Sequence, residues 1–168
     1  MRSSILALSL AAPLLAQAPA PKADLFEPVR FLVGDWVGES DGKPGSPSGA
    51  ASFRFELEGR ALVRRSHADY PAANGRPAVH HEDQMTVFVE GGQLKAFYVD
   101  NEGHVIRYVA TAIPQGATFT SEPAPGPRFR LTYLRGAADT VAVRFEIAPP
   151  NAPEAFKPYV EGVTRRVK

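Results

Sequence analysis

From residue 34 to the end, the chain is written almost throughout in a two-residue period. Phe53, Phe55 and Leu57 alternate with Arg54, Glu56 and Glu58. Phe129, Leu131 and Tyr133 alternate with Arg128, Arg130 and Thr132, and Val141, Val143, Phe145 and Ile147 oppose Arg144 and Glu146. Successive side chains of an extended strand point to opposite faces, so this pattern predicts strands with one face buried and one in water. Gly, Pro, Asn and Asp punctuate the pattern, and the 16 prolines and 14 glycines suit a chain that turns often. The predicted strands are Asp35–Ser40, Ala51–Glu58, Ala61–Tyr70, Val79–Glu90, Leu94–Asp100, His104–Ala112, Ala117–Ser121, Arg128–Arg135, Thr140–Ala148 and Pro158–Val167. Only Asp24–Val33 reads as helical. Asp24 is placed as its N-cap, and Pro28 holds it to a turn or two.

With no helices between them to carry crossovers, these segments predict an all-β fold, an up-and-down antiparallel barrel of about ten strands whose closure removes exposed edges. Short connections fall around Gly59, Gly91-Gly92, Pro114-Gln115-Gly116 and Gly136-Ala137-Ala138. Long ones span Asp41–Ala50, Pro71–Ala78, Glu122–Pro127 and Pro149–Lys157. Alternate connections of a meander lie at opposite ends, so one end is expected to be tied shut and the other to form a mouth. The tight Asn101-Glu102-Gly103 turn is the exception at the mouth end.

Residues 1–20 pair Arg2 with an apolar run from Ile5 to Leu15, followed by small residues, which predicts a secretory signal peptide. The run is too short for a membrane span and is broken by Pro13. Residues 21–168 are then one exported domain, periplasmic or secreted. The absence of cysteine removes disulfides, thiolate metal sites and thiol nucleophiles, and favours a bacterial periplasm. The chain has 19 basic and 18 acidic residues, and Arg2 leaves with the leader, so the domain is formally neutral. That balance lacks the basic footprint that nucleic acid or an anionic membrane surface requires.

Where one parity is charged, the other is expected to line the barrel. Lys95 and Arg107 in water turn Ala96, Tyr98, Asp100, His104, Ile106 and Tyr108 inward, and Met85, Val87 and Val89 carry His81 and Asp83 on their face. Tyr133 faces inward on its strand. Strand 61–70 is ambiguous, and the set Val63, Arg65 and His67 is chosen as inward. Arg65, His67, His81, Asp83, Met85, Tyr98, His104, Tyr108 and Tyr133 are therefore the candidate ligand-binding residues. Their polar members gather toward the mouth of an otherwise apolar interior, as in a small-molecule pocket.

The segment Gly34-Asp35-Trp36 after a short helical turn, with Arg165-Arg166 in the last strand, resembles the Gly-x-Trp signature of lipocalins and related calycins. The resemblance implies that Trp36 lies at the closed end under a late basic residue. Parity selects Arg165 as that residue, expected to make a cation–π contact with the ring. FLVGDWVGES and YVEGVTRR also look like exported bacterial families with a nitrobindin-like or fatty-acid-binding-like barrel. Nitrobindin-like proteins hold haem through a histidine near the end of the chain. Here the last histidine is His104, which counts against haem unless His67, His81 or His104 supplies a ligand from another wall.

Function is expected to be binding or carriage of a small apolar or amphipathic ligand, with no cofactor. Two alternatives stand beside it. One is an enzyme of isomerase, cyclase or hydrolase type using the His/Asp/Tyr cluster, with His81 or Asp83 as general base; the other is a barrel filled by Phe53, Phe55, Phe129 and Phe145 that serves a structural or interaction role. A transition metal on His67, His81 and His104 is the inorganic alternative. No Gly-x-Ser-x-Gly elbow or phosphate loop occurs, and Ser66 beside His67 lies on the opposite strand face, which defeats a Ser–His relay.

Overall fold

The structure, a computed structural model, describes residues 23–38, 48–73 and 75–168. Residues 1–22, which include the expected leader, and most of the Asp41–Ala50 connection lie outside the described residues. Ten antiparallel strands run in chain order: β1 (Gly34–Gly38), β2 (Ser48–Glu56), β3 (Ala61–Tyr70), β4 (Val79–Glu90), β5 (Gln93–Asp100), β6 (Val105–Ile113), β7 (Gly116–Ser121), β8 (Arg128–Arg135), β9 (Thr140–Ala148) and β10 (Lys157–Arg166). Each pairs with its neighbour in sequence, and β1 also pairs with β10, so the sheet closes into an up-and-down barrel. The periodicity breaks at a bulge in β10 and at the end of β2. There Leu57 and Glu58 adopt positive φ in a 3-10 turn, and Leu57, expected to face inward, is exposed.

The N-terminal segment is a 3-10 turn over Glu27–Leu32, with Pro28 in its first turn. Asp24 is not its N-cap. It lies two residues before the Phe26 cap, and its Oδ1 accepts the Phe26 N–H at 3.1 Å. The turn buries Val29 and Leu32 and packs against β7. Phe26 meets Phe55 edge-on, with centroids 5.3 Å apart, and Arg135 at the end of β8 stacks on Phe31 at 5.0 Å. The turn therefore stoppers the end where the short connections lie.

Trp36 is the keystone of that end. It is buried, and its indole N–H donates to the Leu32 carbonyl at 2.6 Å. The guanidinium above its ring, 4.3 Å from the centroid, belongs to Arg166. Arg166 also donates to the carbonyls of Val33 and Phe31 at 2.5 and 2.9 Å, satisfying acceptors that the end of the turn leaves open. Arg165, the residue expected there, stands instead in register with Val37, an exposed outer-face position. A β-bulge between Pro158 and Val160 is the cause. The extra residue reverses alternation along the rest of β10, so a parity count carried through it lands one residue short. Gly34 completes the signature for a steric reason. Its φ is +135°, and a Cβ there would come within 2.2 Å of Arg166 Nη1.

Candidate functional site

Above the plugged end the barrel is not filled. A cavity of about 1060 Å³ reaches the long-loop end, where the exposed Tyr70, Val79 and Tyr159 form its rim. Of the four phenylalanines that would have filled it, Phe53 and Phe55 pack below, whereas Phe129 and Phe145 stack 5.9 Å apart as part of its wall.

The wall has two chemically distinct halves. Strands β8 and β9 supply Phe129, Leu131, Phe145 and Ile147, and the bulge of β10 adds Tyr159, edge-on to Phe145 at 6.2 Å. Across the chamber, β3 to β5 and the start of β6 supply Arg64, His81, Asp83, Tyr98, Asp100 and His104. The register explains this grouping. Directly paired residues share a face, so Asp83 opposite Asp100, Met85 opposite Tyr98 and Ala96 opposite Tyr108 carry one inward row around the barrel.

Strand β3 faces the other way from the expected one. Arg64 pairs with the fully buried Met85 and points inward, while Arg65 and His67 are exposed on the outer wall. His67 there lies flat against His80, with ring centroids 6.3 Å apart. The three imidazoles proposed as metal ligands are thus divided between two sides of the sheet. Among the described residues no group of three or more His, Cys, Asp or Glu side chains is arranged to hold a metal ion.

Arg64 is the residue that periodicity missed. Its side chain is 10% exposed and that of Asp83 is 4% exposed. Nε donates to Asp83 Oδ1 at 3.1 Å, Nη2 donates to the same oxygen, and Nη1 donates to the Tyr133 hydroxyl. A guanidinium has five N–H donors, so one N–H on each terminal nitrogen is left without a protein acceptor. Burial opposes its charge, but the Tyr133 oxygen and the Asp83 carboxylate outweigh that and hold Arg64 protonated.

From this pair a chain of polar contacts climbs to the rim. His81 Nε2 stands 3.5 Å from Asp83 Oδ2 and 3.2 Å from the Tyr98 hydroxyl, and His81 Nδ1 is 2.8 Å from Glu102. Tyr98 donates to Asp100 Oδ2 at 3.1 Å, and His104 Nδ1 meets the same oxygen at 2.8 Å. The backbone N–H groups of Glu102 and His104 donate to Asp100 Oδ1 at 3.0 and 2.9 Å. Partial burial pulls the Asp100 carboxyl up, but the His104 amide and imidazole and the Tyr98 hydroxyl prevail and hold it below its ordinary value. His81, Asp83, Tyr98, His104 and Tyr108 thus line the chamber together, with Met85 buried beneath them and Tyr133 under Arg64.

Burial pushes the phenols of Tyr98, Tyr108 and Tyr133 well above their usual range, against the opposing pull of Arg64. In an ultraviolet titration of the native protein these three are expected to stay protonated past the ordinary phenol range near pH 10. Because their folded pKa values are raised, the stability they contribute is complete below that range and is lost as pH climbs through it. They should ionise together with unfolding. Reversible ionisation of all five tyrosines near pH 10, with the fold intact, would contradict their placement. Compared with protein-family models and with curated proteins, the sequence finds no match.

Proposed function

We propose that the protein binds or carries a small amphipathic molecule in the barrel chamber, as an exported member of the calycin-like barrels. The observation that carries this reading is the division of one 1060 Å³ chamber into an aromatic and aliphatic wall and a hydrogen-bonding wall, both reaching the same end. A chamber of this size holds a drug-sized molecule, and a few convergent polar groups on an apolar lining are what fix such a ligand's orientation. The plugged end with Trp36 under Arg166 supports the calycin-like part of the reading, and the leader-like residues 1–20 support export.

Native mass spectrometry of the protein purified from its own host tests this directly. A discrete small-molecule adduct that disappears on denaturation is expected. Leu131→Trp, which pushes an indole into the chamber from the apolar wall, should fold and emerge without the adduct. A bare mass for the wild type, or an adduct that Leu131→Trp leaves intact, would refute the chamber as the binding site.

A second reading, proton transfer to a bound substrate, is favoured by the linked contacts from Asp83 through His81 and Tyr98 to Asp100. Under it His81 is the general base, and His81→Ala abolishes turnover while ligand retention persists.

A further inference from the structure

The polar wall carries more acceptor than donor charge. Three carboxylates, Asp83, Asp100 and Glu102, line the chamber against two guanidiniums, Arg64 and Arg76. Arg64 is already committed to Asp83. Both Asp100 oxygens are taken by Tyr98, His104 and the Glu102 amide. Asp83 Oδ2 is different. Its carboxylate is almost wholly buried and lines the chamber, yet both Arg64 contacts fall on Oδ1, and the nearest partner of Oδ2 is His81 Nε2 at 3.5 Å. An anionic oxygen that lines the chamber with one long protein contact is open to a donor from a bound ligand.

An anionic head group fits this wall poorly. Laid on the two spare Arg64 N–H groups, a carboxylate would share one guanidinium with Asp83 and leave one of the two negative charges uncompensated by that guanidinium. A cation finds the reverse. Asp83 Oδ2 accepts from it, the rim carboxylates Asp100 and Glu102 attract it on entry, and the chamber is lined by the aromatic rings of Tyr98, Tyr108, Phe129, Phe145 and Tyr159. Aromatic faces bind ammonium groups through their quadrupoles.

Resting on the binding reading above, we propose that the ligand's polar end is a protonated amine held at Asp83 Oδ2, with its apolar body against Phe129, Leu131 and Phe145. The Arg64–Asp83 pair is then a fixed dipole whose acceptor end receives the ligand, and Tyr98 stands beside it to hydrogen-bond the same group.

Titration calorimetry with decylamine, decanol and decanoate, each below its micelle-forming concentration, separates the outcomes. One molecule per barrel is expected, with decylammonium about tenfold tighter than decanol, the lower end of what a charge-assisted hydrogen bond contributes, and decanoate weakest. Asp83→Asn, which keeps an amide oxygen for Arg64, should bring the amine down to the level of the alcohol. Decanoate as the tightest binder, or an amine preference that survives Asp83→Asn, overturns the proposal while leaving the binding chamber standing. If none of the three binds at unit stoichiometry, the chamber reading itself falls and the proposal with it. Should Asp83→Asn not fold, the half-exposed Glu102 offers a second handle. Glu102→Gln is expected to cut the amine-to-alcohol ratio about threefold, as loss of a partly screened charge does, and an unchanged ratio overturns the proposal.

Discussion

Asp83→Ala is expected to destabilise the barrel by about 3–5 kcal/mol, because it strands a buried guanidinium. Arg64 has its Nε and Nη2 on Asp83 Oδ1 and its Nη1 on the Tyr133 hydroxyl. Without the carboxylate, the positive charge stays among Met85, Tyr98 and Tyr133 with one neutral oxygen to answer it. A single domain has about 5–15 kcal/mol of stability in all, so the loss is a large share. The paired replacement separates charge stranding from packing. Arg64→Met with Asp83→Leu removes both charges together and is expected to come close to the wild type in stability, since apolar substitutes for a buried ion pair are often neutral or better. Urea unfolding of the three proteins measures this. A single variant within about 1 kcal/mol of the wild type, or a double variant as damaged as the single, would show that the pair is not the buried unit described. The double variant should also lose ligand while keeping its fold, because the acceptor on the polar wall is gone.

The second large effect lies at the other end of the molecule. Trp36→Ala is expected to cost about 3–5 kcal/mol, the range for deleting a buried large aromatic side chain. Trp36 is 3% exposed, donates to the Leu32 carbonyl and carries the Arg166 guanidinium on its ring. Its removal opens a void under the 3-10 stopper and takes away the aromatic face that holds Arg166 in place. Trp36→Phe keeps a face for the cation and loses the indole hydrogen bond, so its deficit should be clearly smaller. Thermal unfolding compares the two. Because Trp36 lies below the chamber, ligand binding by either variant should be near normal at temperatures where it is folded. A Trp36→Ala protein as stable as the wild type would contradict the keystone role.

Most of the architecture was legible because the physics that sets it is local. Alternation requires only that a strand have a wet face and a dry one, and the predicted bounds of β3, β4, β8 and β9 coincide with the observed ones. The position of the chamber followed from loop lengths. What failed was facing, and for two identifiable reasons. In β3 the run Leu62-Val63-Arg64-Arg65 gives each parity one aliphatic residue and one arginine, so alternation has no preference. The deciding signal lay on the next strand. An inward Asp83 needs a cation, and Arg64, next to the residue paired with Gln84, is the arginine on its own face. In β10 the tandem Arg165-Arg166 again offered one arginine to each face, and the bulge at Tyr159, invisible to a period-two count, selected the second. The candidate site was therefore half-legible. His81, Asp83, Tyr98, His104 and Tyr108 share the chamber wall, whereas Arg65 and His67 lie on the outer face and Arg64 takes the inward position.

An amphipathic molecule lying between Asp83 and Phe129 is the central proposal. A crystal structure of the protein taken directly from its host tests that most directly. Continuous density is predicted in the chamber, with a polar end within hydrogen-bond reach of Asp83 Oδ2 and an apolar end against Phe129 and Phe145. A chamber closed by inward-turned side chains, or a ligand seated on the outer wall, would contradict it.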